Sequence, residues 1–401
     1  MDIKSIDDRT RTESASVFSE AWLVVKPKLP LASHIDSDAK LHQLVKELKD
    51  ESLLALDTES NSLYAYHTQT CLIQLSTREQ DFIIDPLAIV DMQPLGKLLA
   101  DERIEKIFHA AEYDLICMKR DFGFSVNNLF DTMYAARLCH MNKFGLANLL
   151  QRFFDVKVNK RHQKDDWGKR PLNQDSLQYA QMDTHYLPEL RDMLLEKLDK
   201  LNRLNEAQEV FEDVLRIEGK ENGFDPDGYW KIGVPNSLSR RQMAILRELY
   251  LLRDALARDK NVPPFKIFSN NVMVKIAIQQ PQNYNELYDI RGLSPRNVRQ
   301  WGDDLLDAVQ HGRDNRLPSP PRRERPEPLL SERYAALHTW RKEIGEKRNL
   351  DSSLVLSRHT LWELAREMPQ DKKALSKIMG VGAWRLEKYG ADLLKLMTSL
   401  D

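Results

Sequence analysis

Acidic residues at positions 57, 59, 114 and 183 are the side chains of this sequence best suited to chemistry. The segment 56-LDTES-60 closes an apolar run. Residues i and i+2 of a strand face the same way, so Asp57 and Glu59 should project together. Two adjacent carboxylates repel each other, and an apolar strand gains nothing by carrying them. A divalent cation removes the conflict. Taken alone, the pair could equally be the solvent-facing end of a strand. In 109-HAAEYDL-115, Asp114 falls at the start of a helix, where an acid also complements the helix dipole. In 179-YAQMD-183, Tyr179 and Asp183 lie one turn apart on one helix face. Each segment alone has a bland explanation. Together, four acids from one strand and two helices can converge on two cations roughly 4 Å apart, an arrangement suited to phosphodiester hydrolysis. Oxygen-only ligation favours two Mg²⁺ or Mn²⁺ ions over zinc. A tyrosine one turn from a ligand is placed to orient an attacking water.

The elements that must position these groups are legible in outline. Ser37 precedes a helical stripe of Leu41, Leu44, Val45 and Leu48. Strand-length apolar runs follow at 52–57, 71–76, 82–85 and 104–108, with helical patterns at 112–120, 132–140, 145–153 and 174–198. Clustered strands followed by mixed strands and helices predict an α/β domain with a mixed sheet. Beyond residue 200 the pattern is helical. Aligning 261–306 with 349–394 at an offset of 88 gives twelve identities, among them Ser269/Ser357, Gly292/Gly380 and Leu305/Leu393. Arg253/Arg341 keeps the same offset. This predicts a duplicated helical module.

The predicted organisation is a polar extension over 1–28, an α/β domain over 29–205 and a connecting helix and linker over 206–236. A first helical module over 237–312, a Pro/Arg-rich linker over 313–329 and a second module over 330–401 complete it. A chain of 401 residues accommodates two or three domains. No apolar run approaches the roughly 18–20 residues of a membrane span, and the first twenty residues lack a signal-peptide core. A cytosolic monomer without a membrane partner is expected. Three cysteines without metal-type spacing argue against a disulfide framework. The net charge of −2 says little about nucleic acid, but 157-KVNKRHQKDDWGKR-170 carries six Lys/Arg against two Asp.

LDTE, HAAEYDL and YAQMD, in this order, resemble the three motifs of the DEDD exonucleases in their tyrosine subclass, and the ribonuclease D family in particular. The segments 131-DT-132 and 166-DWGKRPL-172 strengthen the match. The stretch 60-SNSLYAYHTQTCLIQLS-76 is closer to exosome-type relatives. The paired helical modules resemble helicase-and-RNase-D C-terminal (HRDC) domains. The resemblance covers residues 30 to 400. It implies an RNase H-like 3′–5′ exonuclease domain followed by two HRDC domains, acting on RNA 3′ ends such as those of tRNA precursors. Asp57, Glu59 and Asp183 would then hold the ion that activates water, with Asp57 bridging to a second ion held by Asp114. Tyr179 would position the nucleophile. His109, Lys160, Lys164, Trp167 and Arg170 would lie along the RNA strand. A DNA-directed exonuclease and an inactive RNA-binding module are the alternatives.

Several tempting residues have plainer expected roles. Asp131 should cap the helix at 132–140. Asp85-Pro86 reads as a strand end and turn. His185 follows Asp183 by two residues and reads as a packing or surface residue. Trp301 and Tyr389 occupy equivalent positions in the modules and should be core. The segments 290–298 and 378–386 could be phosphate-contacting Gly turns or simple tight turns.

Overall fold

Among the described residues, six strands form one mixed sheet: β1 (Ser33–Ile35), β2 (Leu53–Ser60), β3 (Thr70–Ser76), β4 (Asp81–Ile84), β5 (Glu105–Phe108) and β6 (Leu129–Asp131). Their order is β1-β4-β3-β2-β5-β6. The computed structural model describes residues 29–219, 223–232, 237–321 and 327–400. The extension 1–28 and Arg322, Arg323 and Arg325 of the basic linker lie outside the described residues. Ala32–Asp401 form one compact unit.

Central strands β2 and β3 pair antiparallel, and every residue of β3 is buried because it lies between β2 and β4, with the helix Gln174–His185 over one face and the main core on the other. β2 also pairs in parallel with β5, but only over Leu53–Ala55. Past Ala55 its other edge is free, and that free edge becomes part of the site. β1 and β6 were not expected from the sequence; three-residue strands are too short to show a period.

Among the described residues, eight α-helices accompany the sheet: α1 (Asp38–Leu48), α2 (Gln93–Ala100), α3 (Glu112–Phe122), α4 (Thr132–Leu138), α5 (Leu146–Phe154), α6 (Gln174–His185), α7 (Leu187–Lys200) and α8 (Leu204–Leu215). The single helix expected over 174–198 is broken at Tyr186. Pro188, in the first turn of α7, has no N–H for the Thr184 carbonyl and its ring crowds that carbonyl. α8 corrects the expectation of a connecting helix over 206–236. Its stripe of Ala207, Val210, Phe211 and Val214 is buried in the nuclease core, with Phe211 against Phe130.

The two modules match element by element. The first comprises α9 (Arg240–Asp259), α10 (Pro264–Ile267), α11 (Asn270–Gln279), α12 (Tyr284–Tyr288) and α13 (Pro295–Asp314). The second comprises α14 (Pro328–Arg348), α15 (Ser352–Val355), α16 (Arg358–Glu367), α17 (Lys372–Leu375) and α18 (Ala383–Thr398). Their last four helices begin at the predicted offset. Ser269 and Ser357 cap α11 and α16, and Gly292 and Gly380 both take left-handed φ. Arg253 donates to the Phe268 carbonyl and Arg341 to the Leu356 carbonyl, so the duplication extends to buried polar contacts. Trp301 and Tyr389 are buried. The linker is shorter than 313–329, because α13 continues to Asp314 and α14 starts at Pro328.

The modules meet the nuclease differently. The first touches the loop after β2: Tyr66 donates to Asp254 at 2.7 Å, and Lys266 lies over the Tyr64 ring at 4.1 Å. The second sits on α8. Arg348 forms a two-pronged ion pair with Glu206, a carboxylate with no exposed surface. Glu209 accepts the Trp384 amide at the start of α18, and Arg385 pairs with Asp213 at 2.6 Å. A Cβ at Gly382 would stand 2.4 Å from the Glu209 carboxyl, so glycine there permits the approach. In this module the Gly turn is therefore a protein contact, its first amides already taken by a carboxylate.

Candidate active site

Asp57 and Glu59 lie inside β2 and not at its end, on the face that the alternation of the strand requires. Asp183 comes from α6, whose buried stripe of Ser176, Tyr179, Ala180 and Thr184 rests on the sheet. One carboxylate oxygen each from Asp57, Glu59 and Asp183 lies within 4.8 Å of the others. Asp114 approaches from the first turn of α3 along the free edge of β2. Its Oδ1 accepts both the Thr58 amide at 3.0 Å and the Thr58 hydroxyl at 2.5 Å. Thr58, inside the LDTES segment itself, thus satisfies a strand edge and fixes the fourth carboxylate. Sequence reading passed over it because its role depends on β5 diverging from β2.

The turn that delivers Asp114 is held by Asp131. Its carboxylate caps α4 through the Met133 and Tyr134 amides, as expected, and also accepts from Ala110 and Ala111. Ala110 has a φ of 65°, a strained backbone for alanine that these bonds maintain.

A cavity of about 410 Å³ opens over the acids, lined by all four and by Tyr179. Burial, followed by the neighbouring carboxylates, raises Asp57 well above the usual range and Glu59 to about 9. Burial raises Asp114 and Asp183 to about 7 each. For Asp183 this is opposed by the hydrogen bond from the Tyr179 hydroxyl. Burial and the surrounding acids push Tyr179 up as well, so it stays a neutral donor. A compact set of oxygen donors crowded by mutual repulsion fits a hard divalent cation.

The remaining predicted contacts divide. His109, Lys160 and Lys164 line the cavity, the lysines on an exposed 3₁₀ turn (Lys160–Lys164). Burial lowers His109 to about 4, so it offers a neutral ring; Thr132 donates to the Phe108 carbonyl and accepts from His109 Nδ1 at 3.0 Å. Trp167 lines the cavity but is 1% exposed and packs behind Tyr179, a wall with no free face for stacking a base. Arg170 is a correction. Its guanidinium is used up on Asp85 and on the carbonyls of Cys71, Trp167 and Lys169, outside the cavity lining. A basic residue in a run reads as a phosphate contact until its acceptors are known. Sequence reading missed Ser60, Ser62, Tyr113, Gln163 and Asp165, all in the lining. Neither charge nor period distinguishes them.

The family profile described as 3′–5′ exonuclease matches residues 33–199, and that of the HRDC domain matches 242–309 and 331–397. The catalytic core of RRP6 from Trypanosoma brucei shares 32% identity, with a TM-score of 0.64 over 72% of this chain and 80% of that one. RNase D from Escherichia coli, an exoribonuclease involved in structured RNA processing, shares 25% identity, with a TM-score of 0.63 over 92% of this chain and 99% of that one. The exosome complex component 10 homologue of Caenorhabditis elegans is 37% identical over 71% of this chain, which spans about a third (33%) of that relative's length. The chain belongs to the family of 3′–5′ exoribonucleases that includes ribonuclease D and RRP6. Among the described residues, no helix is long and apolar enough to cross a membrane.

Proposed function

We propose that this protein removes nucleotides one at a time from RNA 3′ ends as nucleoside 5′-monophosphates, trimming structured precursors such as those of tRNA. The observation that carries the reading is the convergence of Asp57, Glu59 and Asp183 within 4.8 Å, with the Tyr179 hydroxyl bonded to Asp183. Asp57, Glu59 and Asp183 would hold one Mg²⁺ or Mn²⁺ ion, and Asp57 and Asp114 a second. When bound, such ions supply a hydroxide nucleophile and stabilise the leaving oxygen. Thr58 fixes the Asp114 carboxylate, and the Tyr179 oxygen, its proton held on Asp183, would accept from the attacking water and orient it. Lys160 and Lys164 offer charge to the phosphates at the rim of the cavity.

Residues 29–205 with α8 would form the catalytic domain, with HRDC domains over 237–312 and 330–401. Among relatives, RNase D from Escherichia coli acts in structured RNA processing, which supports a structured substrate. We assign the protein to the cytoplasm, as a monomer. The test is incubation of the purified chain with 3′-tailed RNA and matched DNA, with Mg²⁺ or EDTA. A single-nucleotide ladder of 5′-monophosphates from RNA is expected only with Mg²⁺. Equal degradation of DNA would make the enzyme indifferent to the sugar, and no ladder on either polymer would leave a binding module.

A further inference from the structure

Gln74 is fully buried in β3, and neither its amide nitrogen nor its amide oxygen has a hydrogen-bond partner. Leaving buried polar atoms unpaired costs roughly 1–3 kcal/mol each, so such a group in a native core needs a reason. Its position supplies one. In the antiparallel pairing of β2 with β3, Gln74 stands directly opposite Asp57. Directly opposed residues share a face, with Cβ atoms about 4.5–5.5 Å apart. Two residues along the strand, Ser76 points to the same side and meets Thr184 of α6 at 2.7 Å. Gln74 therefore lies in the layer between sheet and α6, beside the carboxylate placed between the two ion positions.

We propose that Gln74 is a positioning residue for Asp57: with cations bound, its otherwise unpaired amide N–H turns to donate to the Asp57 carboxylate and fixes its orientation toward them. The inference rests on the metal-dependent reading of the site. The amide suits the task, because it adds a donor without adding charge to a crowded set of acids, and its buried setting allows few other orientations. An apolar side chain of the same length would pack here with no unpaired atoms, so packing alone does not call for glutamine.

The test is Gln74→Met, compared with the wild-type chain and Asp57→Asn by Mn²⁺ titration, melting in EDTA and steady-state turnover. Loss of an outer partner of a metal ligand weakens metal binding by about 10- to 100-fold. Gln74→Met should therefore bind Mn²⁺ at least tenfold more weakly and lose kcat at limiting Mg²⁺, with KM for RNA little changed. Its melting temperature in EDTA should equal or exceed that of the wild type, an outcome that a purely structural glutamine also allows and that therefore serves to show intact folding. If Gln74→Met does not fold, Gln74→Leu decides, since it removes the donor without adding a charge or an unpaired polar atom. Mn²⁺ affinity within twofold of wild type in the folded variant overturns the proposal. Loss of Mn²⁺ binding in Asp57→Asn alone would remove only the role of Gln74. A wild-type chain that binds no Mn²⁺ would overturn both this inference and the metal-dependent reading beneath it.

Discussion

Asp183 and its neighbours are held in a place that disfavours their own charge. A buried acid raised in the folded state contributes stability that is fully present below its unfolded value near 4 and is lost as pH rises through its folded value. With Asp114 and Asp183 near 7 and Glu59 near 9, the window of loss runs from about pH 4 to 9. In EDTA the melting temperature should fall across that range, and Mg²⁺ or Mn²⁺ should recover it most at the alkaline end, where fewer protons compete. Asp183→Asn should be inactive yet melt higher than wild type in EDTA at pH 8. Scanning fluorimetry over pH, with EDTA or cation, checks this; a flat profile unmoved by cation contradicts it. Tyr179→Phe removes a hydroxyl whose benefit belongs to the transition state. It should lower kcat by about tenfold or more, equivalent to about 1.4 kcal/mol, with KM changed much less. An unchanged kcat would make Tyr179 a packing residue.

Helix α6 delivers both Tyr179 and Asp183, and a polar cluster beneath it sets its height on the sheet. Buried Asp81 accepts from Ser76 at 2.6 Å, Gln181 at 2.6 Å and His185 at 2.8 Å. His185, read from sequence as a packing or surface residue, is one of three partners to this carboxylate. Asp81→Ala would remove the acceptor that Ser76, Gln181 and His185 share, at a cost of about 1–3 kcal/mol. Melting temperature and kcat should both fall, with KM for RNA little changed, because α6 loses its register against β3 and β4. His185→Ala removes one partner and leaves two, so its turnover should stay near wild type. Thermal melts paired with steady-state kinetics separate the variants, and full activity in Asp81→Ala would show that α6 is held by apolar packing alone.

Across the whole molecule, the duplicated modules have diverged in what they touch. The second carries Arg348 onto Glu206 and closes its Gly turn on Glu209, while the first reaches the loop after β2 beside the cavity mouth. Arg348→Met leaves Glu206 buried with only Arg203 at 3.9 Å, and breaking such a pair costs up to about 3–5 kcal/mol. That variant should melt several degrees lower while turnover of a short oligomer at 25 °C stays near wild type; an unchanged melt would show that the pair is replaceable by solvent. A chain ending near residue 236 keeps every proposed ligand and should still degrade short single-stranded RNA. It should bind a tailed, folded RNA more weakly, with a slope of log K against log salt shallower by somewhat under one unit (about 0.7–0.9) per lost phosphate contact. Binding measured at several salt concentrations reads this, and an unchanged slope would assign the modules to stability or to other partners.

Local spacing was enough to pair Asp57 with Glu59 and Tyr179 with Asp183, because strand and helix periods act within a few residues. The register of the modules was legible for a related reason. A gap-free offset carries the Ser269/Ser357 caps, the left-handed Gly292/Gly380 and the buried Arg253/Arg341 along with it. Convergence of the acids was expected from their types and supported by the resemblance, but their geometry came from long-range contacts. Thr58 reaches Asp114 across 56 residues, and Asp131 reaches Ala111 across 20. The same holds for the reassignment of Arg170, whose acceptor Asp85 lies 85 residues away, and for Trp167, which closes over Tyr179. Sequence by itself determined which residue types share a face, since backbone geometry settles that within one element. Tertiary structure alone decided which donor meets which acceptor between elements: whether a basic residue is free for phosphate, and whether a helix such as α8 links two domains or completes a core. Those outcomes depend on distances that no period along the chain encodes.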